Sequence, residues 1–271
     1  MHLTKHHGLG NDFLVTFDAV PLTADLARSL CDRRRGIGAD GLIAARPATA
    51  GSDVRMELRN SDGTEAAMSG NGIRCLAQAV LAQRGVAAAD LAIDTAAGLR
   101  RVSIEPTGRP GEDWARVDMG SVGPGALTLA PMPIGLAASA LGQHPRMATA
   151  DIGNPHLVVD VEDPWQLDLA TLGPALEASY PGGINVEFIR ATPGRVDEID
   201  LTVWERGAGI TQACGTGASA AASIAVSWGL ARSPVTVHLP GGDVVVEVGP
   251  TVWLSGPTVF VAAVEWPDLD G

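Results

Sequence analysis

Ser69-Gly-Asn-Gly-Ile-Arg-Cys-Leu-Ala-Gln-Ala-Val-Leu81 and Cys214-Gly-Thr-Gly-Ala-Ser-Ala-Ala-Ala-Ser-Ile-Ala-Val226 share one design. Each sets a hydroxyl or a thiol before a Gly-x-Gly turn and then runs into an alanine-containing helix. A helix that starts there leaves its first backbone N–H groups free and aims the positive end of its dipole at whatever lies in front. Such an end binds a carboxylate, and it lowers the pKa of a thiol at the cap from a free value of about 8.5. Two ordinary capped helices would also use these residues. Their recurrence at equivalent positions favours a functional pair.

Working outward, the surrounding chain repeats in the same order. Gly10-Asn-Asp-Phe-Leu-Val15 matches Gly153-Asn-Pro-His-Leu-Val158, and a helix start at Thr23 matches one at Asp168. Gly36-Ile-Gly38 matches Gly183-Ile-Asn185, and the turn glycine Gly98 matches Gly242. With the two capped helices this makes five matches, all at offsets of 143 to 147 residues. A duplicated unit follows, with halves at 1–122 and 123–261 and the Pro/Gly-rich Gly123–Gly135 as linker. Phe13–Phe17 and Val54–Leu58 pattern as strands, and Thr23–Arg35 and Gly72–Leu81 as helices. Leu91–Asp94 and Leu99–Ile104 flank a turn. Within the repeat His156 aligns with Phe13 and Glu205 with Asn60. The blocks are shared but these polar residues are not, which suits an asymmetric substrate.

Composition narrows the chemistry. Of 271 residues, 46% are hydrophobic and 18% charged, which suits a packed core rather than disorder. The net charge of −12 is the wrong sign for nucleic acid or an anionic membrane. Lys5 is the only lysine, which disfavours both a P-loop and a pyridoxal-phosphate Schiff base. Cys31, Cys75 and Cys214 form no disulfide framework, Cys31 and Cys75 read as buried hydrophobes, and no metal-ligand spacing occurs. Gly36-Ile-Gly-Ala-Asp-Gly41 fits a dinucleotide pattern, yet a helix precedes it and a strand follows, the reverse of what that site needs. Ala213–Ala231 is uncharged over 19 residues but consists mostly of Ala, Gly and Ser, so it reads as a buried helix, not a membrane span. The N-terminus lacks the apolar region of a signal peptide. The expectation is a cytoplasmic protein with a small-molecule substrate and no cofactor or metal.

HGLGNDF (7–13), RRGIGADG (34–41), RNSDGTEAAMSGNGIRC (59–75), GNPH (153–156) and ERGAGITQACGTGA (205–218) resemble the diaminopimelate epimerase family. The resemblance spans nearly the whole chain. It implies an α+β fold of two pseudo-symmetric halves, the first (1–122) completed by about 262–271, each a β-barrel-like sheet around a central α-helix, with the active site in the cleft between them. It also implies a cofactor-independent isomerase, a possible homodimer, that interconverts LL- and meso-diaminopimelate for lysine and peptidoglycan synthesis. Carried over residue by residue, Cys214 is one catalytic cysteine, and His156 and Glu205 adjust the pKa of the catalytic pair. Asn11, Asn60, Asn154, Asn185, Glu205 and Arg206 contact substrate, while Gly70-Asn71 and Gly215-Thr216 hold the reacting carboxylate. Asparagines and a guanidinium fork suit the ammonium and carboxylates of a zwitterion.

The departure is Ser69, which stands where the family has its second catalytic cysteine. Three explanations compete: a branch that epimerises with a Ser/Cys pair, a branch turned to elimination, or a substitution introduced against a disulfide. Beside epimerisation stand two further readings, a lyase or racemase of the proline-racemase type using Cys214 as single base, and a non-catalytic amino-acid-binding homologue.

Overall fold

A computed structural model describes residues 1–125, 141 and 145–267 of the chain. The expected linker lies outside the described residues from residue 126 onward. The chain divides into two compact units, Met1–Asp118 with the stretch from Ser255 on, and Met119–Leu254. The return to the first unit begins at Ser255 rather than near 262 because one unbroken strand, Val252–Glu265, belongs to both units.

In the first unit the sheet order is β1 (His2–Gly8), β2 (Asn11–Thr16), β3 (Gly41–Arg46), β4 (Val54–Asn60), β5 (Ala89–Thr95), β6 (Gly98–Pro106), β7 (Glu112–Gly120) and the Val252–Glu265 strand. That last strand also pairs with β1, so the sheet closes. Inside runs α2 (Gly70–Arg84), buried without a break from Gly70 to Leu81. The burial includes Asn71, Arg74 and Gln78, so this helix is enclosed on every face although it is not apolar on every face. Ser69 caps its start, and Gly85 ends it at φ 66°, a left-handed conformation that glycine adopts without strain.

Outside the barrel, α1 (Ala24–Cys31) lays Ala27, Leu30 and Cys31 against Leu3, Leu14 and Leu42. Strands β2 and β3 are therefore covered on both faces, and their apolar runs are continuous rather than alternating. The helix stops at Cys31, four residues short of the sequence expectation. Asp32 turns its carboxylate onto the Arg34 and Arg35 backbone N–H groups at 2.7 and 2.8 Å, and that turn outcompetes another helical turn.

The second unit repeats the order. It comprises β8 (Gly123–Pro124), β9 (Met147–Asp151), β10 (Pro155–Asp160), α3 (Leu169–Glu177), β11 (Asn185–Ala191), β12 (Glu198–Glu205), β13 (Gly209–Ile210), α4 (Gly215–Ser227), β14 (Val235–Leu239) and β15 (Gly242–Glu247). It ends in the start of β16, the Val252–Glu265 strand. The pairing alternates alike in both units: β1–β2 and β9–β10 antiparallel, β2–β3 and β10–β11 parallel, β3–β4 and β11–β12 antiparallel. Outside the sheet, α3 packs Leu172 and Leu176 on Leu157, Val186 and Phe188, as α1 does in the first unit. The uncharged stretch from Ala213 forms α4, buried along most of its length. No helix of the described residues is long and apolar enough to cross a membrane.

Strand register corrects one repeat assignment. Phe13 pairs with Gly41 and His156 with Asn185. Asn185 therefore corresponds to Gly41, not to Gly38, and the match of two Gly-Ile pairs there was a coincidence of turn glycines.

Candidate active site

At the start of α2, Ser69 Oγ accepts from Gly72 N at 3.1 Å. Around this cap runs a chain of amides. Asn71 Nδ2 donates to Asn11 Oδ1 at 3.0 Å, and Asn11 Nδ2 donates to Asp40 Oδ2 at 2.8 Å. Arg74, fully buried, donates to Asn71 Oδ1 at 2.7 Å and to the Gly70 carbonyl at 3.2 Å. Burial pushes its guanidinium down to about 10, still cationic at neutral pH. No carboxylate neutralises it among the described residues, and its Nε has no partner. Beneath the first turn, a Cβ placed on Gly72 would meet Phe13 and Ile43 at 3.3 Å. Lys5, the only lysine, is held by Asp12 at 2.9 Å and the Gly38 carbonyl at 2.7 Å.

At the start of α4, Cys214 Sγ accepts from Gly217 N at 3.3 Å and lies 3.4 Å from Thr216 Oγ1. The Glu205 carboxylate acts on the same thiol through its charge, and it accepts a short bond from Thr211 Oγ1. His156 is fully buried, its Nδ1 2.7 Å from Glu187 Oε1 and its Nε2 3.0 Å from Asn154 Oδ1. Asn154 turns its Nδ2 to Thr216 Oγ1 at 3.5 Å. Asn185 donates to the Pro155 carbonyl and accepts from Arg206 N, both at 2.9 Å.

The electrostatics correct one expectation. The Cys214 thiol is pushed well above its ordinary value, first by burial and then by the Glu205 and Glu187 carboxylates. The Thr216 hydroxyl and the Gly217 N–H pull it down without prevailing. At rest the helix N-terminus therefore holds a protonated thiol rather than a thiolate. Glu205 is raised as well, by burial first. Cys31 and Cys75 are buried and pushed up to about 12, inert as the sequence suggested.

The residues singled out in the sequence thus gather at two helix starts. Asn11, Gly70 and Asn71 attend Ser69; Asn154, His156, Glu205, Gly215 and Thr216 attend Cys214. Asn60 and Arg206 are exposed, with Asn60 bonded to Thr64 and the Arg206 guanidinium to the Gly182 carbonyl. Sequence reasoning missed Glu187 and Arg74. Both left a signal: each is the charged residue within an otherwise buried stretch, Gly70–Leu81 for Arg74 and Asn185–Ile189 for Glu187. No cluster of metal-ligating side chains occurs among the described residues.

The "Diaminopimelate epimerase" family model matches residues 3–123 and 148–252. The diaminopimelate epimerase of Desulfitobacterium hafniense is 41% identical over 276 residues, covering 96% of each chain. That of Synechocystis sp. is 40% identical over 262 residues, covering 91% of each. Among solved structures, a probable proline racemase from Agrobacterium radiobacter K84 superposes with a TM-score of 0.76 at 19% identity, covering 99% of this chain and 93% of that one. A PhzF-family phenazine biosynthesis protein from Bacillus anthracis gives 0.75 at 16% identity, with 99% of each covered, a likeness of fold alone. With a family model matched on both sides of residues 124–147 and relatives near 40% identity along almost its full length, the chain belongs to the diaminopimelate epimerase family.

Proposed function

We propose that Cys214 is the base and Ser69 the weaker, neutral partner in the epimerisation of diaminopimelate, the activity that the family assigns to this chain. An α-proton is very weakly acidic, so the carbanion left behind must be stabilised through its carboxylate. The backbone N–H groups at the helix starts, Gly70-Asn71 and Gly215-Thr216, supply that stabilisation, worth most where water is excluded. The Cys214 thiol passes its proton to Glu205, and the thiolate takes the α-proton while the electron pair stays on the carbon and its carboxylate. Delivery of a proton to the other face falls to Ser69, as donor or relay. Asn11, Asn60, Asn154, Asn185, Glu205 and Arg206 hold the ammonium and carboxylate groups.

The observation that carries this is the cysteine end itself: a buried thiol at a helix start, 3.3 Å from the Gly217 N–H and 3.4 Å from the Thr216 hydroxyl, in the field of the Glu205 carboxylate. A serine hydroxyl stays neutral in the same setting. Exchange at the Cys214 face should then outrun inversion, since returning a proton to its first face is easier than delivery from an alcohol. Incubation of diaminopimelate in D2O separates the two rates. Exchange exceeding inversion supports the polarised pair, and equal rates overturn it. Cys214→Ala should abolish exchange, whereas an alanine variant that still exchanges would remove Cys214 as base. Elimination from a hydroxy-amino acid is not favoured by relatives near 40% identity named as epimerases. We place the chain in the cytoplasm and pair it as a homodimer; sedimentation at micromolar concentration checks the second point, and a monomer mass overturns it.

A further inference from the structure

Beneath the two helix starts the duplicated fold supplies its own control. In β2 and β3, Phe13 pairs with Gly41 and Val15 with Ile43. In β10 and β11, His156 pairs with Asn185 and Val158 with Glu187. His156 therefore occupies the place of Phe13, and Glu187 that of Ile43. A Cβ on Gly72 would meet Ile43 and Phe13, and a Cβ on Gly217 would meet Glu187 Oε1 at 2.7 Å. One backbone position holds an apolar pair under Ser69 and an acid–base pair under Cys214. The fold does not require the polar version, because its twin packs the same space with Phe and Ile. A fully buried ion pair is often no more stable than an apolar pair of similar volume. Moreover, Glu187 Oε2 is buried with no partner among the described residues, a further cost that packing does not explain.

We propose that Glu187 is a positioning residue for Cys214, setting the direction of a hydrogen-bond chain that runs Glu187–His156–Asn154–Thr216–Cys214. The links measure 2.7, 3.0, 3.5 and 3.4 Å. Both ring nitrogens of His156 face oxygens. One proton therefore sits between Nδ1 and Glu187 Oε1, and another lies on Nε2, directed at Asn154 Oδ1. With its oxygen so engaged, Asn154 donates from Nδ2 to Thr216, which leaves the Thr216 hydroxyl hydrogen free for Sγ. Every donor after Glu187 then points toward the sulfur, the polarity that favours a thiolate. By its charge alone the Glu187 carboxylate raises the thiol, as Glu205 does, so what the chain supplies in the other direction is the orientation of its donors. The titratable groups facing the pair are Cys214 at the start of α4 and Glu205 on β12. Arg190, on β11 with Glu187, is taken up by Asp200 at 2.7 Å.

This rests on Cys214 as the base, and the test keeps the two apart by reading the thiolate without turnover. Alkylation of Cys214 by iodoacetamide, followed by mass spectrometry of its peptide across pH 6–10, is measured beside α-proton exchange. The variants are Glu187→Gln, Glu187→Ile, and the double swap His156→Phe/Glu187→Ile that copies the serine end. We expect the double swap to hold its melting temperature while alkylation near pH 7.5 and exchange kcat both fall about 10²-fold, with KM changed little. The alkylation profile should shift to higher pH. Glu187→Gln keeps the shape and should give an intermediate loss. Parental alkylation and parental pH profiles in Glu187→Gln and Glu187→Ile overturn the inference, even if Cys214→Ala is dead. If instead alkylation falls and exchange does not, the chain acts on the sulfur as proposed and the assignment of Cys214 as base is what fails. Should the double swap unfold, Glu187→Gln decides alone.

Discussion

At the start of α2 Ser69 Oγ accepts from Gly72 N at 3.1 Å, and at the start of α4 Cys214 Sγ accepts from Gly217 N at 3.3 Å. The backbone of the two ends is the same, but the charge around them is opposite. The serine end carries a buried cation, Arg74, bound back to the Gly70 carbonyl. At the same place in α4 stands Ser219, neutral, bound back to the Gly215 carbonyl at 2.8 Å. The cysteine end carries Glu187 and Glu205, where the serine end has Ile43 and Asn60. The helix start alone therefore does not determine the protonation of what it caps. Burial and two carboxylates outweigh the N–H donors and keep the Cys214 thiol protonated at rest. In the proposed mechanism a base is generated there by moving the proton to Glu205.

The largest effect should come from making the ends alike on the weak side. Cys214→Ser leaves two hydroxyls and no base, and exchange should fall by about 10⁴-fold or more, the upper range for a lost general base. Exchange within tenfold of the parent would break the comparison at its centre. The reverse change, Ser69→Cys, supplies a thiol to the second face. Inversion should rise by roughly 10²–10⁴-fold while exchange at the first face changes little. Unchanged inversion would mean that some other group already protonates that face.

A smaller effect separates the two residues behind the caps. Arg74→Met removes a buried charge and the donor that holds Asn71, so kcat/KM should drop about 10–30-fold, or about 1.4–2 kcal/mol of transition-state stabilisation. Ser219→Ala removes only a hydroxyl bonded within its own helix and should stay within twofold. A purely structural Arg74 would show the reverse pattern, with a large loss of melting temperature and normal kinetics in the folded fraction.

The sequence exposed the duplication because the two caps need the same residues, glycines for the turn and a small oxygen or sulfur atom for the free N–H. It also marked Ala213–Ala231 as a buried helix, because an uncharged run of small residues packs closely, whereas the central place of α2, which carries Arg74 and Gln78, came only with the family resemblance. The ends of α1 were less legible, since Asp32 competes for the backbone through a side-chain bond that periodicity does not register. The alignment of Asn185 with Gly38 failed for a related reason: turn glycines recur wherever a chain reverses, and only strand pairing places them. Glu187 and Arg74 were passed over because one charged residue inside an apolar run resembles noise. Their meaning comes from three-dimensional equivalence with Ile43 and Ser219.

The smallest expected effect distinguishes the units through stability rather than catalysis. In the first unit His6 is almost fully buried, with Nδ1 2.8 Å from Gln78 Oε1 and Nε2 2.9 Å from Thr4 Oγ1. Burial lowers its pKa against the raising effect of Gln78 and Asp113. In the second unit burial also pulls His238 down, but Asp243 at 2.8 Å and Glu198 at 3.0 Å outweigh it and raise its pKa. The signs of linkage are therefore opposite. For His6 the folded state binds the proton less well than the unfolded chain. Its contribution is complete above an unfolded value of about 6.5 and is lost as pH falls through the lowered folded value. For His238 the contribution is complete below about 6.5 and is lost as pH rises through the raised folded value. Partial exposure of His238 screens its pairs, so its limb should be the shallower. Denaturant unfolding from pH 5 to pH 8.5 checks both. His6→Gln should flatten the acid limb and leave the alkaline limb alone, and His238→Gln should do the opposite. If His6→Gln keeps the full acid sensitivity of the parent, the buried ring is not what couples the first unit to pH.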